Sequence, residues 1–153
     1  MSKELKRIAA IALIFAIVAT FMPQQKVFAI SESQQRINQQ KAAEFDLLCR
    51  LVYSEARGES EYGQRLVVDV VLNRVDSDEF PNTIEEVICE KDQFAPVSTG
   101  VIYSAEPSQE LRVLVFMEMK ARSNSEVIYF RTNSYHDCGT PLFPEGNHFF
   151  SAL

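Results

Sequence analysis

The sequence predicts an α+β fold that is mostly helical, with a small β-sheet or hairpin late in a single domain. Apolar residues between positions 41 and 123 recur mainly three and four residues apart, as in helices with one buried face. Residues 127–132 are rich in β-branched and aromatic side chains, which is typical of a strand. Without its first 29 residues the chain has 124 residues, which suits one domain with a hydrophobic core and is too short for two.

The first 29 residues have the pattern of a secretory signal peptide. Three basic residues among positions 3–7 precede an apolar run over 8–22, and residues 27–29 form a small-x-small ending. The apolar run is shorter than the ~20 residues that span a bilayer. We therefore expect a signal peptide, with an uncleaved membrane anchor as the alternative. In both cases the rest of the chain is secreted or lies on the outer face of the cell envelope.

The charge of the chain excludes some classes of partner. Its net charge is −6, and the first 29 residues hold four basic residues and one acidic residue, so the remainder carries −9. Nucleic acids and anionic membranes bind through basic patches. A neutral or mixed-charge polymer is the partner that this composition favours.

Three cysteines remain after the signal peptide: Cys49, Cys89 and Cys138. In an exported chain one pair could form a disulfide, and Cys89 with Cys138 is the pair we favour. Cys49 lies among leucines and is expected in the core. The spacing matches neither a zinc site nor a CxxC redox pair.

The first predicted elements are two long helices. Residues 30–40 form a polar tether or the frayed start of a helix, and the folded domain covers 41–153. Its first helix spans 41–57 and ends at Gly58, because glycine readily adopts the left-handed conformation that closes helices. The second helix is capped by Ser60 and is apolar almost throughout, so it should be buried on most sides. Its polar interruptions are Asp69, Asn73 and Arg74.

A short helix, a loop, a third long helix and two strands are predicted next. Thr83 and Glu86 match a capping box for a helix through about residue 88. Residues 89–100 have no periodicity, which predicts a surface loop. A helix follows over 108–123, with Leu111, Leu114, Val115 and Met119 facing inward. Strands are predicted at 127–132 and 146–150, with a loop between them.

The stretch YSEARGE at 53–59 places acidic groups where the first helix should end. Glu55 would lie in the last turn, where unpaired carbonyls and the helix dipole disfavour negative charge. Apolar neighbours would also remove hydration, and both effects raise the pKa of a carboxyl group. Cleavage of a glycosidic bond requires a carboxylic acid that keeps its proton near neutral pH. The residues alone leave two alternatives open. Glu55 could simply be solvated, or Arg57 could lie close enough to oppose the rise in the pKa of Glu55.

Several separated motifs resemble the SleB/CwlJ cell wall hydrolase family, the spore cortex-lytic enzymes and their relatives. They follow the family's order and extend over about residues 47–151. The motifs are VYSEARGE at 52–59, GQ at 63–64, V-x-x-V-x-N-R-V at 68–75, FPNTI at 80–84, DQFAPV at 92–97, VIYF at 127–130 and GNHFF at 146–150.

This resemblance implies a lysozyme-like domain that cleaves the glycan of peptidoglycan between N-acetylmuramic acid and N-acetylglucosamine. It implies Glu55 as the catalytic acid. A lytic transglycosylase needs one carboxyl group, whereas a hydrolase normally needs a second carboxylate. No flanking pattern marks any further acid for that role, so we favour transglycosylation. Hydrolysis by a muramidase or glucosaminidase, and a non-catalytic wall-binding module, are the alternatives. The acids considered are Glu59, Asp92, Asp137 and Glu145.

Four residues are predicted to bind the substrate. Gln93 and Phe94 match the family's Q-F pair, and the resemblance implies that they line the cleft, with Phe94 as a core residue the alternative. Successive side chains of a strand point to opposite faces, and we predict that the face with Tyr129 contacts the substrate. Glu59 is the fourth, although it could also support the second helix or pair with Arg57.

We expect no cofactor and no metal. Gly58 breaks the helical register between Glu55 and Glu59, which argues against a metal shared by the two. A metal-dependent wall peptidase is a weaker alternative, and its ligands would be His136, Asp137 and His148. The expected partner is the glycan strand of peptidoglycan, with no nucleic acid and with membrane contact only through residues 1–29. We expect a monomer.

Overall fold

A computed structural model describes residues 31–153 of the protein. The predicted signal peptide lies outside these residues. The described residues divide into two units, residues 31–42 and residues 43–153. In the first unit residues 31–42 are helical and exposed, so the polar segment is helical from residue 31 onward. Within residues 31–153 no helix has the length and apolarity that crossing a membrane requires.

The second unit begins with two helices that the sequence located well. Residues 43–56 form α1, which ends one residue before the predicted position. Helix α2 spans Glu61–Val75, and the Ser60 hydroxyl oxygen accepts a hydrogen bond from Gly63 N at 3.0 Å, as expected for the cap. Residues 66–74 of α2 are all buried, which confirms the prediction of a central helix.

Three short helical segments and one longer helix follow. Helix α3 spans Ile84–Cys89, with the Thr83 hydroxyl accepting from Glu86 N at 3.2 Å. The predicted loop over 89–100 is partly wrong, because Ala95–Ser98 forms helix α4, and a 3₁₀ turn follows at Val101–Ser104. A four-residue helix is too short to show periodicity in the sequence. Helix α5 spans Gln109–Lys120 and is capped by Ser108.

The late sheet has three antiparallel strands instead of the expected two. Strand β1 spans Tyr129–Thr132, β2 spans Thr140–Glu145 and β3 spans His148–Ala152, in the order β1-β3-β2. The predicted loop between the strands is therefore corrected, since it contains β2. This strand carries Pro141 and Pro144, which argue against a central strand but are tolerated at an edge.

The core lies where α2 meets the other elements. One buried cluster joins α2 to α1, α3 and α5, and a second joins Leu66 and Val70 of α2 to Val127 and Phe150 beside the sheet. The predicted inward residues of α5 pack in the first cluster, with Met119 only partly buried.

Buried polar groups connect α2 to the segment that leads into β1. Asn124 N donates to Asp69 Oδ2 at 2.9 Å, and Asn73 Nδ2 donates to the carbonyl oxygens of Asn124 (3.1 Å) and Val127 (2.8 Å). Glu118 of α5 is 1% exposed and accepts from Arg65 Nη1 at 2.7 Å. The bonds of Asp69 and Asn73 fix the start of the sheet on the central helix, and the bond of Glu118 joins α5 to that helix.

All three cysteines are free thiols, so the favoured Cys89–Cys138 bridge is not formed. Cys89 ends α3 and lines a cavity with Arg50 and Tyr103. Cys138 lies in the loop before β2, where its backbone N–H donates to His136 Nδ1. Cys49 is buried as predicted.

Candidate active site

Glu55 lies in the last turn of α1 and is half-buried. Leu51 and Val52, one turn earlier, are fully buried, and Ala56 beside it is 1% exposed. Burial raises the pKa of the Glu55 carboxyl group above its usual 4.5. Among residues 31–153 the Glu55 side chain has no hydrogen-bond donor and no ion-pair partner that would oppose this shift. Burial therefore favours the protonated form of Glu55.

Arg57 is turned away from Glu55. Its guanidinium lies over the ring of Tyr53, 5.4 Å from the centroid, and it forms no ion pair with Glu59. Tyr53 and Glu55 are ~200° apart around a helix with ~100° per residue, so this contact is on the opposite side of α1. A cavity of about 280 Å³ lies on that opposite side, against α2 and α5, and Glu55 does not line it.

Glu59 holds the β2–β3 turn against the end of α1. Its carboxylate accepts from the backbone N of Asn147 at 3.1 Å and from Asn147 Nδ2 at 2.8 Å. These bonds lower the pKa of Glu59. Gly146 makes the approach feasible, because a Cβ there would lie 1.8 Å from Glu59 Oε2, and its φ is +57°. Both carboxylate oxygens of Glu59 are therefore engaged within the protein.

Arg74 is the centre of a second group of residues. It is 4% exposed, and its Nε donates to the carbonyl oxygen of Ile128 at 2.9 Å, next to β1. Its guanidinium carbon lies 5.1–5.5 Å from the centroids of three aromatic rings, which belong to Phe80, Phe94 and Tyr129. Arg74 Nη1 donates to Gln93 Oε1 at 3.0 Å.

Three of the predicted binding residues meet at this guanidinium. The Gln93 side chain is exposed, whereas Phe94 is 3% exposed and packs in the core with Phe130. Tyr129 is half-buried, and its ring stacks on His136 with centroids 5.3 Å apart. The structure thus brings Gln93, Phe94 and Tyr129 together.

From the sequence, Arg74 is predicted only as a polar interruption of the second helix, and its contacts with Gln93, Phe94 and Tyr129 were not expected. The available signal was a permanently charged side chain in a helix predicted to be buried on most sides, because such a charge must find partners.

The two histidines are in different environments. His148 of β3 is 3% exposed and packs on Phe130, with ring centroids 4.8 Å apart, and burial lowers its pKa. His136 stacks on Tyr129, and Asp137 beside it is exposed and pairs with Arg131. Over residues 31–153, no three histidine, cysteine or acidic side chains converge as metal ligands would.

The model of the Cell Wall Hydrolase family matches residues 58–150, a range that begins three residues after Glu55. Among curated proteins, the spore cortex-lytic enzyme of Bacillus cereus is 47% identical over 60 residues, which are 39% of this chain and 23% of that protein. The spore cortex-lytic enzyme of Bacillus subtilis is 38% identical over 87 residues, which are 57% of this chain and 28% of that protein. The matched parts are therefore about a quarter of each relative.

Two solved structures share the fold. The catalytic domain of the Bacillus cereus SleB protein has a TM-score of 0.63 and 30% identity, and covers 71% of this chain and 88% of that chain. The catalytic domain of the germination-specific lytic transglycosylase SleB from Bacillus anthracis has a TM-score of 0.62 and 29% identity. This match covers 71% of this chain and 93% of that chain. The predicted fold class, mostly helical and lysozyme-like with a small sheet, is confirmed. Because the family model matches more than half of this chain, the chain belongs to the SleB/CwlJ cell wall hydrolase family.

Proposed function

We propose that this protein cleaves the glycan strand of peptidoglycan by lytic transglycosylation, with Glu55 as the single acid and base. The bond is the one between N-acetylmuramic acid and N-acetylglucosamine. The observation that carries the proposal is the environment of Glu55, a half-buried carboxyl group in the last turn of α1 whose pKa is raised by burial. Family membership supports the substrate class, and one solved relative is named a lytic transglycosylase.

In the first step Glu55 acts as a general acid. Its carboxyl group gives its proton to the glycosidic oxygen as the bond from that oxygen to C1 of N-acetylmuramic acid breaks. The burial that raises the pKa favours the protonated form of Glu55, and such general-acid catalysis contributes ~10²–10⁴-fold to rates. Positive charge then develops at C1 and its ring oxygen.

In the second step the same group acts as a base. The Glu55 carboxylate accepts the proton of the 6-hydroxyl of N-acetylmuramic acid while that oxygen bonds to C1. The product is an anhydro-sugar end, and Glu55 regains its proton. No water enters the reaction, so one carboxyl group is sufficient.

The contacts of the other acids support this route over hydrolysis. A hydrolase needs a second carboxylate near the bond as base or nucleophile. Glu59 is bound to Asn147, Glu145 accepts from the Ser60 hydroxyl at 2.7 Å, and Asp137 is paired with Arg131. Hydrolysis remains the alternative if Asp92, which is exposed, or another acid serves as that carboxylate.

Gln93 and Tyr129 are the residues that we propose to contact the glycan directly. The Gln93 amide nitrogen and the Tyr129 hydroxyl are polar groups without a hydrogen-bond partner in residues 31–153. Phe94 is buried against Arg74, and Glu59 holds the β2–β3 turn, so we propose that these two maintain the shape of the binding surface. The protein would act as a monomer outside the cytoplasm.

The test is incubation of residues 30–153 with purified peptidoglycan, followed by mass spectrometry of the fragments. Anhydro-muramic ends are expected, and reducing ends would show hydrolysis instead. Glu55→Gln should lower the rate at least ~10²-fold, because the amide cannot transfer a proton. Glu106→Gln is the matched control, since this exposed glutamate makes no hydrogen bond or ion pair within residues 31–153. Full cleavage by Glu55→Gln, or no cleavage by the parent chain, would overturn the proposal.

A further inference from the structure

The contact between Arg74 and Gln93 determines which way the Gln93 amide faces. The guanidinium of arginine contains only donors, so it can bond the amide oxygen and not the amide nitrogen. Arg74 Nη1 donates to Gln93 Oε1 at 3.0 Å. Gln93 Nε2 is therefore held on the side away from Arg74, on an exposed residue, and bonds no group of residues 31–153.

The orienting group is itself fixed. Arg74 is nearly inaccessible to solvent, its Nε donates to the carbonyl oxygen of Ile128, and three rings surround its guanidinium. A donor that is already oriented loses little conformational entropy when it binds a ligand. The half-buried rings of Phe80 and Tyr129, at the same guanidinium, add an apolar surface beside this donor.

We propose that Arg74 is a positioning residue that presents Gln93 Nε2 as a hydrogen-bond donor to the acetamido carbonyl oxygen of a glycan sugar. The inference rests on the proposed function, which supplies the glycan. Both sugars of peptidoglycan carry an N-acetyl group, and a carbonyl oxygen is a pure acceptor. The site thereby distinguishes N-acetylated glycan from the de-N-acetylated polymer, whose ammonium group is a pure donor.

Gln93→Glu separates this role from a structural one. The carboxylate keeps an acceptor toward Arg74 and adds an ion pair, so the fold and the position of the side chain are preserved. Glu90 also faces the guanidinium, but it does not bond it directly. Toward the substrate, the variant replaces the outward N–H donor by a carboxylate oxygen. Gln109→Glu is the matched control, with the same change of group and charge at an exposed position in the first turn of α5.

The measurement is the KM and kcat for fragment release from N-acetylated peptidoglycan and from the same material after chemical de-N-acetylation. On N-acetylated material Gln93→Glu should raise KM about tenfold relative to Gln109→Glu, with an unchanged melting temperature. On de-N-acetylated material this loss should disappear, because an ammonium group can donate to the new carboxylate. Gln93→Ala should show the same loss on N-acetylated material.

Failure of the proposed function and failure of this inference give different results. If the parent chain releases no fragments from N-acetylated peptidoglycan, the proposed function fails. Suppose instead that the parent chain is active and that Gln93→Glu has the same KM as Gln109→Glu on both materials. Gln93 then does not donate a hydrogen bond to an acceptor on the glycan, and the inference is overturned. A loss of equal size on both materials would overturn it as well, because recognition would not then depend on the acetamido group.

Discussion

Replacing Asp69 by Asn is expected to stabilise the protein at and above neutral pH. Asp69 of α2 is fully buried against Glu118 of α5, and Asn124 N donates to its Oδ2 at 2.9 Å. Its Oδ1 is buried and has no donor among residues 31–153. Burial, and then the charge of Glu118, raise the pKa of Asp69 from 3.8 to about 7. Of the two acids, Asp69 is therefore the one whose protonated form is favoured.

The sign and size of the effect follow from this pKa. An acid whose pKa is raised by folding stabilises the folded state fully below the unfolded value of 3.8, and loses that contribution as the pH rises through about 7. At ~1.4 kcal/mol per pH unit, the parent chain should lose about 2–3 kcal/mol of unfolding free energy between pH 5 and pH 8. Glu118, whose pKa is lowered, stays ionised in this range.

Asn mimics the protonated acid permanently. Its oxygen can accept from Asn124 N, and its amide can donate to Glu118. The advantage of Asp69→Asn over the parent should therefore grow by about 2–3 kcal/mol from pH 5 to pH 8. Urea unfolding at the two pH values measures it, with the exposed Asp78→Asn as the control. A difference from the parent that does not depend on pH would refute the reasoning.

Three further predictions concern the hairpin, a helix cap and the pH profile. Gly146→Ala should lower the free energy of unfolding in urea by roughly 2 kcal/mol or more, because its φ is +57° and the new Cβ would meet Glu59 Oε2. The control Gly58→Ala places its Cβ in open space, so the free energy of unfolding should change little. Equal midpoints for the two variants would contradict this. Ser108→Ala should lower the unfolding free energy by about 1 kcal/mol through loss of the α5 cap, and an unchanged midpoint would count against the cap. The rate of glycan cleavage should fall as the pH rises through the raised pKa of Glu55, and a rate that increases from pH 5 to pH 8 would exclude a protonated acid.

The local signals in the sequence were sufficient for most of the fold. Ser60 and Thr83 cap the helices that follow them, as predicted, and the long helices begin or end within a few residues of the predicted positions. Caps and amphipathic periodicity act over a few residues, so they can be identified without knowledge of the tertiary structure.

Strand β2 and helix α4 could not be predicted in this way. Pro141 and Pro144 argue locally against a strand, and β2 forms because β3 offers it an edge to pair with. The burial of Phe94 likewise depends on Arg74 and Phe130, which are distant in the sequence.

The candidate site was predictable only in part. The position of Glu55 at a helix end was predicted from Gly58, although Gly58 does not adopt the left-handed conformation expected of it. Burial by distant elements determines how far the pKa of Glu55 rises. The sequence could not show that Asn147 would donate hydrogen bonds to Glu59, nor that Arg74 would contact both Gln93 and Tyr129. These contacts join residues 19 to 88 positions apart.

The most direct test of the account is the pKa of Glu55 itself. Carboxyl ¹³C resonances of a glutamate-labelled chain can be followed by NMR from pH 3 to pH 9, and the Glu55→Gln spectrum identifies the Glu55 signal. Glu55 is expected to titrate clearly above 4.5, the usual value of a glutamate. Titration of Glu55 at or below 4.5 would contradict the role of Glu55 as the acid.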